Sequence, residues 1–286
     1  MRRILPFRSR RMVGPFIFVD HAGPVYGTNG DVKSLDVLPH PHIGLSTVTY
    51  LFGGHITHRD SLGVEQVIKP GEVNWMTAGS GISHSERFED TSAFEGGLEL
   101  LQTWVALPEE FEEIKPDFHN FKSQHLPVFT GDGVWHRLIA GEAFGVKSPV
   151  AAHSPLLYLH VELAPGATFS LPDNYTERGL YVVKGSVEQG PHRYYKSQLA
   201  VFSKGEQVVV KALEPTVLMV LGGEPLGHRH IWWNFVSSKK ERIEQAKADW
   251  LAGRIALPPT DNREFVPLPE DKRKSEEGGA APNALS

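Results

Sequence analysis

The chain has 286 residues, enough for one large domain or two of ordinary size. It contains no cysteine, which excludes disulfides, thiolate metal sites and thiol redox switches. A formal net charge of -5 argues against the basic footprint of a duplex nucleic-acid binder, and no apolar run approaches the roughly 18 residues of a membrane span.

The first eleven residues are arginine-rich, but no apolar stretch follows that would make a secretory signal, so a cytoplasmic location is expected. Residues 12–24 read as a strand that ends in a turn, with His21 a turn histidine bonded to backbone. Residues 25–36 are polar and glycine-containing, a loop at the mouth of a barrel. Two triplets then frame the most informative stretch. His40-Pro41-His42 opens it and His84-Ser85-Glu86 closes it. Side chains on a strand alternate with a period of two, so His40 and His42 share a face, and so do His84 and Glu86. If the two strands line one pocket, three imidazoles and a carboxylate converge there. Such a set suits a divalent first-row metal with coordination positions left open.

Between the triplets lie short strands and tight turns. Thr47 to Phe52 is β-branched and aromatic and ends at Gly53-Gly54. Val64 to Ile68 runs into Pro70-Gly71, and Val73 to Met76 precedes the glycine-rich 78–81. This spacing favours a small antiparallel barrel or jelly roll. Trp75 and Met76 are expected in its core. His55 and His58 are three apart, face opposite ways on a strand, and are expected at the surface. Leu98 to Trp104 reads as a strand buried on both sides. Pro108 to Lys115 is a short helix or loop, and residues 116–127 are the link between two halves.

In the second half, Val134 to Ala140 and Leu156 to Leu163 are strand-like. Tyr181 to Val187 echoes Tyr50 to Ile56, and Lys204-Gly205-Glu206 echoes Pro70-Gly71-Glu72, which suggests duplication of one barrel. The second copy lacks the ligands: Leu171 to Tyr175 stands where a histidine pair is expected. His228-Arg229-His230 has no third ligand near it in sequence, so no second metal is expected. Ser237 or Ser238 reads as an N-cap with Glu241 as its capping-box partner. The helix runs to about Ala252, ends at Gly253 and packs through Ile243, Ala246, Trp250 and Leu251. The tail from Pro258 is rich in Pro, Glu, Lys, Gly and Ala, and disorder is expected over its last 15 or so residues.

The stretches HPHIGLSTVTYLFGG (40–54), HRDSLG (58–63) and PGEVNWMTAGSGISHSE (70–86) resemble the pirin family of the cupin superfamily. The resemblance continues through GEAFGVKSPV (141–150) and NFVSSKKERIEQAKADW (234–250). It implies an all-β fold of two antiparallel cupin (jelly-roll) barrels in tandem with a C-terminal α-helix. The corresponding limits are 1–126 for a metal-binding barrel, 127–235 for a degenerate barrel, 236–256 for the helix and 257–286 for a partly disordered tail. It also implies that His40, His42, His84 and Glu86 hold one metal, with Fe2+ expected and Mn, Ni, Cu or Zn as alternatives. A typical cupin takes its carboxylate ligand three or four residues after the first histidine pair. Here Ile43 to Ser46 holds no acid, and Ser46 stands where many pirins carry Glu. The loss matters little if Glu86 is the carboxylate ligand, as the resemblance to pirins implies.

Two functions follow from that resemblance. One is quercetin 2,3-dioxygenase-like oxidation of a small aromatic flavonol by O2, with Glu86 as catalytic base. The other is an iron-dependent regulatory protein that binds a transcription factor or a metabolic enzyme. A monomer is expected, without nucleic acid or membrane as partner.

Overall fold

The computed structural model describes residues 1–26, 32–89 and 91–270, so part of the 25–36 loop and the last 16 residues lie outside the described residues. The first half contributes β1 (Arg2–Leu5), β2 (Phe16–Val25), β3 (Val37–His42), β4 (Leu45–Gly53), β5 (Ile56–Asp60), β6 (Glu65–Ile68), β7 (Val73–Thr77), β8 (Ile82–Arg87), β9 (Leu98–Ala106) and β10 (Asp117–Phe121). They form two facing antiparallel sheets, ordered β1-β2-β9-β4-β7-β10 and β3-β8-β5-β6. The second half contributes β11 (Val128–Gly131), β12 (Val134–Ala143), β13 (Val146–Lys147), β14 (Leu156–Leu163), β15 (Thr168–Ser170), β16 (Glu177–Lys184), β17 (Ser186–Gln189), β18 (His192–Tyr195), β19 (Leu199–Ser203), β20 (Val209–Ala212) and β21 (Thr216–Gly223). Their orders are β11-β12-β14-β21-β16-β19, with β13 on β12, and β15-β20-β17-β18.

The two orders correspond apart from β10 in the first half and β11 and β13 in the second. β1-β2-β9-β4-β7 corresponds to β12-β14-β21-β16-β19, and β3-β8-β5-β6 to β15-β20-β17-β18. The echoed tyrosines fall on the matching strands β4 and β16, so the expected duplication is borne out. It also moves one expectation. The counterpart of β3 is β15, which ends at Ser170 directly before the Leu171 to Tyr175 stretch expected to hold the vacant ligand positions.

The larger sheets of the barrels pack against each other. Val48, Tyr50, Trp75 and Leu101 from one half join Ile139, Tyr158, Tyr181 and Met219 from the other in a single buried apolar cluster. Two polar contacts cross this interface reciprocally. Tyr50 Oη lies 2.8 Å from His160 Nδ1, and His21 Nδ1 lies 2.8 Å from Tyr181 Oη. Each histidine also pairs across its sheet with an arginine, Arg2 opposite His21 and Arg137 opposite His160. His21 is therefore not a backbone-bonded turn residue. It lies within β2, is 5% exposed, and bonds Tyr181 and, through Nε2 at 3.0 Å, Glu99. Its strand continues through the turn signals because β2 pairs β9 as far as Val25.

Residues 117–121 are not part of a linker. They form β10 and complete the sheet edge against β7. Beyond the second barrel, β22 (His230–Trp232) and β23 (Phe235–Ser237) make a hairpin, followed by α1 (Lys240–Leu251). Phe235, Ile243, Ala246, Trp250 and Ile255 pack around Ile43 of the first barrel. Gly44 permits the close approach. Its φ is +67°, and an added Cβ would lie 2.0 Å from the Val236 carbonyl oxygen. Gly253 ends the helix at φ +68°, as expected.

Two helix expectations fail. The N-cap residue is Lys239, without a side-chain cap. Buried Glu112 recruits the serines instead: its carboxylate accepts from the Ser237 hydroxyl, the Ser238 hydroxyl and the Ser238 backbone N–H, and it pairs with Arg229 at 3.0 Å. A buried charge must be paired, and that demand overrides the local cap. Leu251 is 72% exposed, because 100° per residue turns it away from the face of Ile243, Ala246 and Trp250.

Candidate metal centre

β3 and β8 are antiparallel neighbours, with His40 directly opposite His84 and His42 opposite Ile82. On β3 the inward positions carry His40 and His42, and on β8 Ile82, His84 and Glu86. The three imidazoles each offer a nitrogen, and those nitrogens lie within 4.8 Å of one another. Ring centroids are 4.4 to 5.1 Å apart, and exposures are 9% for His40, 1% for His42 and 1% for His84.

The other ring nitrogens are occupied, which assigns the tautomers. His40 Nδ1 donates to the Leu38 carbonyl at 2.9 Å, and His42 Nδ1 to the Asn234 carbonyl at 3.2 Å. Carbonyl oxygens only accept, so both protons sit on Nδ1 and both Nε2 lone pairs are free. His84 Nδ1 faces His58 Nδ1 at 3.3 Å, while His84 Nε2 is buried without a partner. Burial keeps the rings neutral: it depresses His40 to about 4 and His42 and His84 well below the usual imidazole value. Neutral rings with converging lone pairs form a group able to hold a metal ion.

Glu86 shares the inward face of β8 and sits opposite His58 of β5. Its carboxyl stands outside the group closed by the three histidines and contacts Thr49, whose hydroxyl donates to Gln102 Oε1 at 2.8 Å. Burial raises Glu86 to about 7, a rise that its contact with Thr49 only partly offsets.

His58 corrects an expectation. It is 4% exposed, not a surface residue, with Nε2 2.9 Å from Asp60 Oδ2 and its ring stacked on Phe118 at 4.4 Å. His55 lies in the turn before β5 and is half-buried. The turn at Gly53-Gly54 restarts the alternation, so His55 does not set the face of His58. The usable signal was His58-Arg59-Asp60, a third i, i+2 pair, whose strand pairs with β8. Outside this centre, His228 and His230 have ring centroids 4.7 Å apart but gather no third ligand within reach among the described residues. Trp75 and Met76 are core, at 3% and 1% exposed.

The tail braces the ligand strands from outside. The Ser83 hydroxyl donates to the Ala256 carbonyl at 2.6 Å and the Ser85 hydroxyl to Asp261 at 2.6 Å. Arg87 makes a two-pronged pair with Asp261 at 2.7 and 2.8 Å and reaches Asp36 at 3.1 Å. These outward residues alternate with His84 and Glu86.

Fold and site together define a two-barrel cupin whose histidine cluster, among the described residues, lies in the first barrel. The chain belongs to the pirin family: the Pirin family profile matches residues 1–105, and the Pirin C-terminal cupin domain matches residues 158–256. A pirin-like protein of Caulobacter vibrioides is 60% identical over 94% of this chain and 93% of its own length. Human pirin is 36% identical over 74% of each chain. The crystal structure of a quercetin 2,3-dioxygenase from Acinetobacter baumannii aligns with a TM-score of 0.85 at 33% identity, over 94% of this chain and 89% of that one. Among the described residues no helix is long and apolar enough to cross a membrane.

Proposed function

We propose that this protein is a metal-dependent dioxygenase that cleaves a flavonol such as quercetin across its 2,3-bond with O2. The observation that carries the reading is the set of three buried Nε2 lone pairs, each freed by an occupied Nδ1. His40, His42 and His84 would hold one divalent ion; Glu86, on the same inward face of β8 but outside their group, would join the set only by turning its carboxyl toward them, and Fe2+ suits such nitrogen and oxygen donors. The similarity to the Acinetobacter quercetin 2,3-dioxygenase supports the substrate class. Once bound, such an ion supplies open coordination positions and acidifies a coordinated hydroxyl.

The chain's own residues do the rest. Glu86, with its pKa raised to about 7 by burial, is poised to take the proton of a flavonol hydroxyl on its carboxylate oxygen. Thr49 contacts that carboxyl, and its hydroxyl is in turn oriented by donating to Gln102 Oε1. Trp104 stands edge-on to His42 at 5.1 Å and stacks on Phe18 at 4.0 Å, which makes an aromatic wall that excludes water beside the cluster.

A second reading, an iron-dependent regulatory protein, draws on the near-complete burial of His42 and His84. A site so closed suits an ion that biases a surface as much as one that turns over a three-ring substrate. The two separate cleanly. Protein purified without added metal is analysed for metal content, loaded with Fe2+ without air, and then given quercetin and O2. One metal per chain with O2 uptake supports the enzyme. One metal without uptake for any flavonol removes it in favour of the regulatory reading.

A further inference from the structure

Asp60 and His58 are used by neither reading, yet both are buried against the cluster. Asp60 is 0% exposed, and both its oxygens are engaged: Oδ1 accepts the backbone N–H of Leu62 at 2.9 Å and of Val64 at 3.2 Å, and Oδ2 faces His58 Nε2 at 2.9 Å. A carboxylate oxygen accepts, so His58 carries its proton on Nε2. In the neutral ring its Nδ1 is then a lone pair, and it faces His84 Nδ1 at 3.3 Å. Two ring nitrogens can share a hydrogen bond only if one of them bears the proton, so that proton belongs to His84 Nδ1. The chain ends at His84 Nε2, which is buried without a hydrogen-bond partner.

We propose that Asp60 and His58 are positioning residues that act as a two-step relay of orientation, fixing His84 in the tautomer whose Nε2 is free for the metal. The inference rests on the metal-centre reading of the three histidines. It explains a difference among them. His40 and His42 donate Nδ1–H to backbone carbonyls, Leu38 and Asn234, which can do nothing but accept. His84 donates to another imidazole, whose Nδ1 is ambiguous in itself. Were His58 flipped in tautomer, its own Nδ1–H would point at His84, and the His84 proton would move to Nε2 and block the ligand position. The buried carboxylate of Asp60 removes the ambiguity. Phe118, stacked on His58 with 18° between the planes, holds the ring in line. Partners behind a ligand histidine typically contribute about 10- to 100-fold in metal affinity.

The test uses Asp60→Asn, which keeps shape but lets the amide donate as well as accept, and so admits the wrong His58 tautomer. Two readouts are needed. The first is the 15N shifts of histidine in the metal-free full chain. The second is Fe2+ affinity, measured without air by competition with a chelator. In the wild-type protein His84 is expected to be protonated at Nδ1 and bare at Nε2. In Asp60→Asn a share of His84 should move its proton to Nε2, with Fe2+ affinity down about 10- to 100-fold at unchanged stoichiometry. His58→Phe should match that loss, and His58→Gln, whose amide oxygen can accept from His84, should recover most of it. A purely structural role for the pair would lower the unfolding midpoint without moving the His84 tautomer. Wild-type His84 with its proton on Nε2, or Asp60→Asn with wild-type affinity and tautomer, overturns the proposal. Tight Fe2+ binding with the expected tautomer but no flavonol turnover sinks the dioxygenase and leaves the relay standing.

Discussion

On the first barrel's smaller sheet, His40 of β3 faces His84 of β8. On the matching strands of the second barrel, Phe169 of β15 faces Val210 of β20. Phe169 is 4% exposed, Val210 0% and Ala212 1%, and all three belong to one apolar core with Leu159, Leu180 and Val220. The same strand order thus encloses a polar, convergent cluster in one half and an apolar core in the other. The barrel does not need the histidines to form. What they add is chemistry, at the cost of burying ring nitrogens that only hydrogen bonds or a ligand can satisfy.

The most severe break of this comparison swaps side chains at the matching places. His84→Ala should take metal content from one per chain to near zero by elemental analysis. Its unfolding free energy should fall by no more than about 1–3 kcal/mol, the cost of leaving His58 without its donor. Phe169→Ala should do the reverse. It should keep the metal and lose about 3–5 kcal/mol in a denaturant titration, the usual result of deleting a buried aromatic ring. A His84→Ala chain that loses its β-sheet circular dichroism would make the metal structural and end the contrast. Close to two metals per wild-type chain would end it as well, and would reopen His228 and His230.

Next in size is Glu86→Gln. It keeps the side chain's length and an oxygen donor but removes the charge and the proton acceptor. A positioned base contributes about 100- to 10,000-fold. Metallated Glu86→Gln should therefore retain most of its iron and lose flavonol oxygenation by at least about two orders of magnitude. Wild-type turnover in this variant would mean that Glu86 is not the base.

The ligand triplets were readable because strand geometry converts an i, i+2 spacing directly into a shared face, whatever the rest of the fold does. His58-Arg59-Asp60 obeys the same rule, but its face depends on which strand it pairs with, and that pairing with β8 is set by contacts far apart in sequence. His21 was misjudged for a similar reason, since its partner Tyr181 lies in the other barrel. At Ser237 and Ser238 the local pattern did suggest a cap. A buried carboxylate 125 residues away, Glu112, offered those donors a stronger bond. Local periodicity was legible, and the competition between local and remote partners was not.

Proton competition sharpens the polar half of the comparison. Burial raises Glu86 to about 7 and lowers His40 to about 4, so near pH 6 the metal-free site favours a protonated Glu86 and a neutral His40. If Glu86 joins the ion, metal uptake between pH 5 and 7 displaces the Glu86 proton and no imidazole proton. Apparent affinity should rise about tenfold per pH unit in that window and flatten above it. Glu86→Gln should abolish the slope. Release of two or three protons per metal at pH 6, read by a pH-indicator dye, would show that the histidines are charged and the tautomer assignment is wrong.

The smallest expected effects lie at the interface between the barrels, where the duplication is nearly symmetric but not quite. Tyr50 accepts from Arg137 Nη1 at 3.0 Å, so its own proton goes to His160 Nδ1. Burial, aided by the Arg137 charge, holds His160 down at about 3, and its Nε2 has no well-aligned partner, with Glu162 at 3.4 Å. The Tyr50 bond is thus the one well-formed hydrogen bond that His160 has. His21 in the mirror position keeps Glu99 at 3.0 Å whatever happens to Tyr181. Tyr50→Phe strands His160 Nδ1 and weakens the hold on Arg137, and should cost about 1–3 kcal/mol. Tyr181→Phe should cost about 1 kcal/mol, the net worth of an ordinary hydrogen bond whose partner keeps a second one. Neither change should alter metal content, because neither residue touches β3 or β8. Denaturant titrations of both variants measure the difference. Equal losses would mean that Arg137 and Glu99 do not distinguish the two contacts, and that the interface is as symmetric in energy as it is in strand order.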